Sequence, residues 1–396
     1  MTISAPALQR TSRNGSSSET VLTNARLVLE DEVVLGTVSC DAEGIRALDH
    51  GRSSLPSATD CEGDFIVPGL VEIHTDNLEK HLLPRPKVRW PNPLAAAIAN
   101  DAQIAASGIT TVFDAVCAGT YENAVGQRKE IFAEEIDAIE QAAALGLFRI
   151  THFLHLRCEL TDPDLPCLVE AQVGKRILRL VSLMDHTPGH RQWRNLSDLR
   201  NFMTGTGRTA DEIESAIEER GRRGRNLVSR NWERMVAMFR GPGVILASHD
   251  DTTEEHVMDA AADGCAISEF PTSLAAATKA KALGLKTIAG APNIVRGGSH
   301  TGGVAVRDLV AAGVLDGLSS DYVPASLLQA VRLLTRDPGL ALHDAFALVT
   351  SHVADMLNLH DRGRLLPGKR ADLVRLRFMD DTPLVRRVWC AGAIVF

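Results

Sequence analysis

The sequence has no cysteine pair with CxxC spacing and no uninterrupted apolar run of about eighteen residues, the length of a membrane span. Its seven cysteines are odd in number and scattered, which favours free thiols in a reducing compartment. We therefore expect a cytoplasmic protein without a membrane span. Residues 1–19 also lack the apolar core of a signal peptide, and we predict a flexible tail there.

A basic surface is missing as well. The formal net charge is −8, whereas nucleic acids and anionic membranes attract basic surfaces, so neither is an expected partner. An anionic substrate would need local cations or metal ions. The composition, with 45% hydrophobic and 23% charged residues, is ordinary for a folded enzyme. A chain of 396 residues is long enough for one (β/α)₈ barrel and a small accessory module.

The order of the apolar segments predicts an α/β protein built on a TIM (β/α)₈ barrel. Short β-like runs at both ends of the chain predict a small β-sandwich module made of residues 20–64 and 365–396, with the barrel at 65–364. Eight apolar segments separated by helix-like stretches are expected as the parallel strands. These segments are 65–74, 109–114, 150–156, 178–184, 244–248, 265–270, 286–289 and 317–320.

Histidines and carboxylates follow these strands, and the carboxyl ends of barrel strands carry the active site. His74 and Asp76 form an HxD pair after the first strand and point the same way, because strand side chains alternate. Later strand ends add His155, Arg157 and Glu159, then Asp185 and His186, then His249, Asp250 and Asp251, then Glu269 and Asp321. This mixture of nitrogen and oxygen ligands favours a zinc or manganese site.

A divalent ion at these strand ends would lower the pKa of a bound water and neutralise charge on a phosphoryl oxygen. Asp321 is a candidate to take the water's proton. Alternatively, Asp321 caps the helix after Pro324. His186 is either a ligand or a hydrogen-bonding partner of the ligands.

Two segments point to an anionic substrate. The loop after the first strand carries Lys80, His81, Arg85, Lys87 and Arg89, and it either clamps phosphates or is an exposed basic loop. The second segment, 293–303, is rich in glycine, follows the seventh strand and precedes a helix, so it is expected to bind phosphate or phosphonate rather than form a simple turn. The arginine-rich region 191–242 is interpreted as a solvated helical insertion, with a cover over the site as the alternative.

Together these segments resemble the PhnM family, the alpha-D-ribose 1-methylphosphonate 5-triphosphate diphosphatases of the carbon-phosphorus lyase pathway. The resemblance runs in order along nearly the whole chain. It is carried by residues 68–78 (PGLVEIHTDNL), 84–88 (PRPKV), 154–160 (LHLRCEL), 181–186 (VSLMDH), 247–251 (ASHDD), 290–300 (GAPNIVRGGSH) and 318–322 (LSSDY). The segment 363–374 (GRLLPGKRADLV) is similar to the one by which many amidohydrolases leave the barrel and rejoin the side module.

The resemblance implies an amidohydrolase barrel that hydrolyses the 5-triphosphate of this phosphorylated ribose phosphonate, with pyrophosphate as a product. It implies that one or two divalent metal ions, zinc or manganese, are held by His74, Asp76, Glu159, His186 and His249, while Asp321 acts on the attacking water. The residues it implies for binding the phosphate or phosphonate groups are Lys80, Arg85, Lys87, Arg157, Asn293, Arg296, Gly297, Gly298, Ser299 and His300.

Some positions depart from the wider superfamily. Asp76 stands where HxH is usual, Asp185 and His186 stand where a carboxylated lysine is usual, and Glu269 replaces a common histidine. Glu159 is similar to the bridging glutamate of the sugar-phosphate deacetylases. The alternatives are therefore a hydrolase of nucleotides or cyclic phosphates, a deacetylase or cyclic amidase with the same metal centre, and a non-catalytic barrel. Assembly into a homo-oligomer is left open.

Overall fold

The computed structural model describes residues 19–85, 87–120, 126–205, 207–241, 243–299 and 302–396. Its elements in chain order are β1 (Thr20–Val28), β2 (Val33–Asp41), β3 (Gly44–His50), β4 (Thr59–Asp60), β5 (Phe65–Pro68), β6 (Leu70–Thr75), α1 (Asn77–Leu82), α2 (Pro93–Ala106), β7 (Ile109–Ala118), α3 (Gly126–Ala144), β8 (Thr151–Glu159), α4 (Leu165–Glu170), β9 (Leu178–Met184), a 3-10 turn (Arg191–Trp193), α5 (Leu196–Thr204), α6 (Ala210–Phe239), β10 (Ile245–His249), α7 (Glu254–Ala262), β11 (Ile267–Glu269), α8 (Leu274–Ala282), β12 (Lys286–Gly290), α9 (Ala291–Arg296), α10 (Val306–Ala311), β13 (Gly317–Ser319), α11 (Ser326–Leu334), α12 (Leu342–Ala347), α13 (Ser351–Met356), β14 (Leu373–Met379), β15 (Thr382–Cys390) and β16 (Ala393–Ile394).

The barrel consists of the parallel strands β6 to β13, each paired with its neighbours in chain order. A parallel bridge between Thr75 and Asp321 joins the last strand to the first. At this seam the amide of Asp321 donates to the His74 carbonyl at 3.1 Å. The predicted TIM barrel is confirmed, and its strands bring their carboxyl ends to one face.

A buried carboxyl group strengthens the same seam. Glu72 accepts hydrogen bonds from the amides of His74 and Ser320, both at 2.7 Å, and so connects the two strands where their direct pairing is short. Burial raises the pKa of Glu72 to about 8. Glu72 therefore holds the backbone of His74 in place, independently of the contacts of the His74 ring.

The boundary between the module and the barrel lies later than predicted. Residues 65–74 were expected as one barrel strand, but Phe65–Pro68 pairs in parallel with β1 and antiparallel with β14, and the barrel begins at Leu70. Gly69 separates the two strands, because a Cβ there would lie 2.9 Å from the Cβ of Thr110 and closer still to its hydroxyl. Only glycine allows this close approach to β7.

The terminal module is one sheet in the order β16-β15-β14-β5-β1-β2-β3, with β4 beside β1. Strands from both ends of the chain meet where β14 pairs with β5, which confirms that the two termini build one module outside the barrel. Trp389, Leu27 and Ile66 lie in its core. The flexible tail predicted for residues 1–19 lies outside the described residues, apart from Glu19.

A polar cluster is buried behind the barrel wall. His152 of β8 contacts Asp114 through Nδ1 at 2.7 Å and Asp101 through Nε2 at 3.3 Å. Although burial lowers the pKa of His152, the two carboxylates raise it to about 9. The protonated ring therefore joins α2 to the barrel as an ion pair with both aspartates.

The arginine-rich region forms the 3-10 turn, α5 and α6, and we refer to residues 191–205 and 207–239 as the insertion. A capping box begins α6, since the Thr209 amide donates to Glu212 at 2.8 Å and the Glu212 amide donates to the Thr209 hydroxyl at 3.4 Å. On its outer side Arg222 and Arg223 pair with Glu219. In the part of the chain that the structure describes, no helix is both long and apolar enough to cross a membrane.

Candidate active site

Two histidines share one carboxylate at the mouth of the barrel. Glu269 ends β11 and accepts the Nδ1 hydrogen of His74 at 2.6 Å and that of His249 at 2.7 Å, each with a different oxygen. Burial alone would raise the pKa of Glu269, but the neighbouring imidazoles hold this pKa well below its usual range. The carboxylate fixes both rings with Nδ1 turned toward it, and a metal would therefore have to bind at Nε2 of each ring.

A second group lies beside the first. His186 follows β9, and its Nε2 is 3.9 Å from Oδ2 of Asp250, which is itself 3.6 Å from Nε2 of His249. Asp250 has a φ of 55°, in the left-handed region, so the backbone turns sharply at the end of β10. The sequence placed Asp250 at a strand end but did not assign it to the metal.

These groups fit a divalent ion. Histidine and carboxylate ligands about 2.1 Å from a tetrahedral ion lie about 3.4 Å from each other, close to the two separations around Asp250. His74, His155 and Glu269 also lie close together, with one potential ligand atom from each within 4.8 Å of the others. Both Glu269 oxygens and both His155 nitrogens are engaged by the protein, so this proximity does not by itself indicate an ion. The Oδ1 atom of Asp76 is buried without a hydrogen-bond partner among the described residues, as expected for an atom that awaits a ligand.

Glu159 is the predicted ligand whose contacts differ most from the expectation. Its Oε2 accepts the Nδ1 hydrogen of His186 at 2.5 Å, and its Oε1 accepts the Thr161 hydroxyl at 2.5 Å. In this arrangement Glu159 orients His186, and its direct bond to a metal stays a prediction. With Nδ1 held by Glu159, the Nε2 atom of His186 lies on the side of Asp250.

His155 is tied to the protein through both ring nitrogens. Nδ1 donates to the Ile73 carbonyl at 3.1 Å, and Nε2 contacts the Ser182 hydroxyl. Burial lowers the pKa of His155 to about 3, so the ring is neutral. Its neutral ring packs edge-on against His74, with centroids 5.0 Å apart, and supports that ligand candidate.

Asp321 lies beside Asp76 at the barrel seam. Burial raises the pKa of Asp321, and the Asp76 carboxylate raises it further. Asp321 does not cap the following helix, since α11 begins at Ser326 with Ala325 at the N-cap, which excludes the alternative role considered from the sequence. Arg157 is next to this pair, with Nη1 3.7 Å from Oδ2 of Asp76 and Nε buried without a partner among the described residues.

A cleft opens above these groups, and three arginines line it, namely Arg157, Arg128 and Arg296. Lys80 lies at its rim, where its ammonium group contacts the carbonyl of Tyr322 and is 5.3 Å from the centroid of that ring. The cleft therefore combines carboxylates and histidines at its floor with cationic groups on its walls.

The predicted substrate-binding residues divide into two sets. Asn293, Arg296, Gly298 and Ser299 line the cleft, as does Arg157. Arg85, Lys87 and Gly297 are exposed and do not line the cleft. His300 lies outside the described residues. The roles of all ten residues in substrate binding stay predictions.

The glycine-rich segment is more structured than expected. Asn293 and Arg296 belong to α9, and Gly297 ends this helix with a φ of 82°. The side chain of Asn293 accepts from the Val306 amide at 3.0 Å and donates to the Val304 carbonyl at 3.3 Å. Asn293 therefore holds the chain at Val304 and Val306 in place. Arg296 is among the residues that line the cleft.

The insertion also reaches the cleft. Gln192, Trp193 and Phe202 are among the lining residues, and the rings of Trp193 and Phe202 are 5.2 Å apart. This supports the alternative that the region covers the site. No motif in the sequence singled out these three side chains, because they follow the strand end by several residues.

Comparison with known proteins defines the class first. The sequence model of the Amidohydrolase family matches residues 209–396. Solved structures with the same fold include N-acetyl-D-glucosamine-6-phosphate deacetylase from Mycobacterium smegmatis, at 18% identity and a TM-score of 0.61, over 95% of this chain and 100% of that one. The 5-methylcytosine deaminase from Klebsiella pneumoniae, liganded with 5-fluorocytosine, has 15% identity and a TM-score of 0.61, over 95% and 97% of the two chains.

A closer relative narrows the class. The alpha-D-ribose 1-methylphosphonate 5-triphosphate diphosphatase of Escherichia coli (strain K12) is 43% identical to this chain over 379 residues, which are 95% of this chain and 100% of that protein. The chain belongs to the family of alpha-D-ribose 1-methylphosphonate 5-triphosphate diphosphatases, within the amidohydrolases. The resemblance expected from the strand-end motifs is thereby confirmed.

Proposed function

We propose that this protein hydrolyses alpha-D-ribose 1-methylphosphonate 5-triphosphate to alpha-D-ribose 1-methylphosphonate 5-phosphate and pyrophosphate, in phosphonate catabolism. The observation that carries the proposal is a floor of histidines and carboxylates beneath walls that present Arg157, Arg128 and Arg296. A substrate with a triphosphate at one end and a phosphonate at the other needs several cations, and guanidinium groups pair well with phosphoryl oxygens. The 43% identity to the diphosphatase of Escherichia coli supports the same substrate.

The residues proposed to hold one or two divalent ions, zinc or manganese, are His74, Asp76, His186 and His249, with Asp250 and Glu159 beside them. A divalent ion bound there supplies Lewis acidity, which lowers the pKa of a coordinated water and offsets charge on a phosphoryl oxygen. Glu269 and Glu159 keep the imidazoles in the orientation that such binding requires.

The reaction breaks the anhydride bridge between the α and β phosphorus atoms. One water is consumed, its oxygen ends on one phosphorus, and the bridging oxygen leaves with the other. Asp321 accepts a proton from the attacking water at its carboxylate, and this role is favoured because burial, together with the Asp76 carboxylate, raises the pKa of Asp321. Arg157 and Arg296 bind and orient the phosphoryl groups.

Phosphorus NMR of the metal-reconstituted protein tests this function. The proposed substrate, ATP and an N-acetylated sugar phosphate are supplied in parallel. We expect pyrophosphate from the first compound alone. Release from ATP with comparable efficiency would widen the function to general triphosphate hydrolysis, and deacetylation without phosphate chemistry would overturn it.

A cytoplasmic location and a small-molecule substrate rather than nucleic acid complete the proposal, the latter supported by the net charge of −8.

A further inference from the structure

The insertion contacts the protein immediately after three strands that carry candidate metal ligands. The first contact is Asn231 of α6, which is fully buried and donates from Nδ2 to the carbonyls of Leu160 at 2.9 Å and Asp162 at 3.0 Å. These carbonyls belong to the first and third residues after Glu159, the partner of His186. A single amide thus fixes the turn after β8 to the insertion.

The second contact is a close approach of backbone to side chain. A Cβ on Gly224 of α6 would lie 2.8 Å from the Cβ of Thr187 and closer still to its hydroxyl oxygen. Thr187 follows His186, and its hydroxyl donates a hydrogen bond to the carboxylate of Asp185. Because the glycine has no side chain, α6 lies directly against the end of β9.

The third contact comes from the start of the insertion. Arg191 is buried, and its Nη1 donates to the His249 carbonyl at 2.8 Å and to Oδ1 of Asp251 at 2.6 Å. Oδ2 of Asp251 in turn accepts from Ser268, the residue before Glu269. Arg191 has a φ of 41°, a left-handed conformation that non-glycine residues rarely adopt, so its surroundings hold it in place.

We propose that the insertion is a brace that sets the positions of Glu159, His186 and His249 and thereby determines the metal affinity of the site. The proposal rests on the proposed metal centre and adds Asn231, Gly224 and Arg191 as positioning residues. Metal ligands must be held within a few tenths of an ångström, and loss of one outer partner typically weakens metal binding about 10–100-fold. The same segment lines the cleft, so one structural unit both covers the substrate and holds the ligands.

Two matched pairs of variants on α6 test the brace. Gly224→Ala is compared with Gly221→Ala, because both glycines are buried in the helix and gain the same helix propensity, but a Cβ at Gly221 would meet only the flexible end of Arg225 at 3.4 Å. Asn231→Ala is compared with Asn226→Ala, since Asn226 is exposed on the same helix. Circular dichroism reports folding, competition with a chelator reports Zn²⁺ affinity, and the electronic absorption spectrum of bound Co²⁺ reports ligand geometry.

We expect Gly224→Ala and Asn231→Ala to fold, to bind Zn²⁺ about 10–100-fold more weakly and to change the Co²⁺ spectrum, with activity partly restored at high metal concentration. The two controls should match the wild type. Unchanged affinity and spectrum in both test variants would overturn the brace, and so would loss of folded structure in both, since the insertion would then serve barrel folding. If the wild type binds and hydrolyses as proposed while the variants do not differ from it, the brace alone fails. A wild type that binds no divalent ion defeats the proposed function itself.

Discussion

Replacement of Glu269 by glutamine should disable one of the two histidines that it holds. Each carboxylate oxygen now accepts an Nδ1 hydrogen, from His74 at 2.6 Å and from His249 at 2.7 Å. A glutamine amide has one accepting oxygen and one donating NH₂ group. One ring keeps its partner, whereas the other faces a donor and must take the tautomer with hydrogen on Nε2. A ring protonated at Nε2 cannot bind a metal there.

The size of the effect follows from the number of rings affected. Loss of one outer partner typically lowers metal affinity about 10–100-fold, which is about 1.4–2.7 kcal/mol. Glu269→Gln should lose about that amount. Glu269→Ala removes both partners, so about 10²–10⁴-fold is expected if the two rings act independently, or about 2.7–5.5 kcal/mol.

Chelator competition with Zn²⁺ measures the affinities, and nitrogen-15 NMR of the metal-free protein identifies the tautomer of each ring. Glu135→Gln is the control. Glu135 is buried in α3, and burial raises its pKa well above the usual range, which favours the neutral carboxyl group that glutamine resembles. Wild-type Zn²⁺ affinity in Glu269→Gln would refute the shared role of this carboxylate. Affinity as weak as that of Glu269→Ala, with a tautomer change in both rings, would refute it too.

Three further predictions concern other parts of the molecule. Asp321→Asn should leave metal affinity and circular dichroism unchanged while kcat falls about 10²–10⁴-fold, and near-normal turnover would remove Asp321 from the reaction. Arg296→Ala should lower kcat/KM about 10–150-fold, mostly through KM, because a charge-assisted bond contributes about 1.5–3 kcal/mol, whereas Arg222→Ala on the outer side of α6 should change neither kcat/KM nor KM. Burial lowers the pKa of His152, but its two aspartates raise it to about 9. The ion pair of the protonated ring with these aspartates therefore stabilises the fold fully below the pKa of about 6.5 that His has in the unfolded chain, and this stabilisation is lost as pH rises through 9. Urea unfolding should show a loss of about 3 kcal/mol over that interval, and a His152→Gln variant that keeps the full loss would contradict the assignment.

The barrel could be predicted from the sequence because its signal is repeated eight times. Each apolar segment is followed by polar residues, and parallel strands bring those residues to one face whatever the exact packing of the helices. His74, His186 and His249 were predicted at this face on that basis, and the structure places them there, while their role as metal ligands stays a prediction. The boundary at residue 65 was wrong because β5 and β6 are both apolar and continuous in sequence. What separates them is the close approach of Gly69 to Thr110, a contact between strands that local pattern does not contain.

The inner arrangement of the site depends on relations between strands and was therefore harder to predict. Glu269 was recognised only as a carboxylate at a strand end, yet its two oxygens serve rings from β6 and β10. That arrangement requires the pairing of His249 with Glu269 across neighbouring strands and the closure of the barrel. Asp250 was named at a strand end without a role, and alternation along a regular strand would point it away from His249. The left-handed turn at its backbone cancels that alternation.

The insertion shows which part of the sequence signal had been overlooked. Counting arginines describes the outer side of α6, where Arg222 and Arg223 pair with Glu219. The inner side is a stripe at intervals of three and four residues, and it contains Gly224, Val228, Asn231, Met235 and Phe239. From residue 224 onward the rest of this stripe is apolar, so the glycine permits close approach of a neighbour, and the asparagine indicates a buried partner for its amide. The helical period therefore predicts contact with the barrel where charge alone predicts solvent, and the two signals are compatible because they lie on opposite sides of one helix.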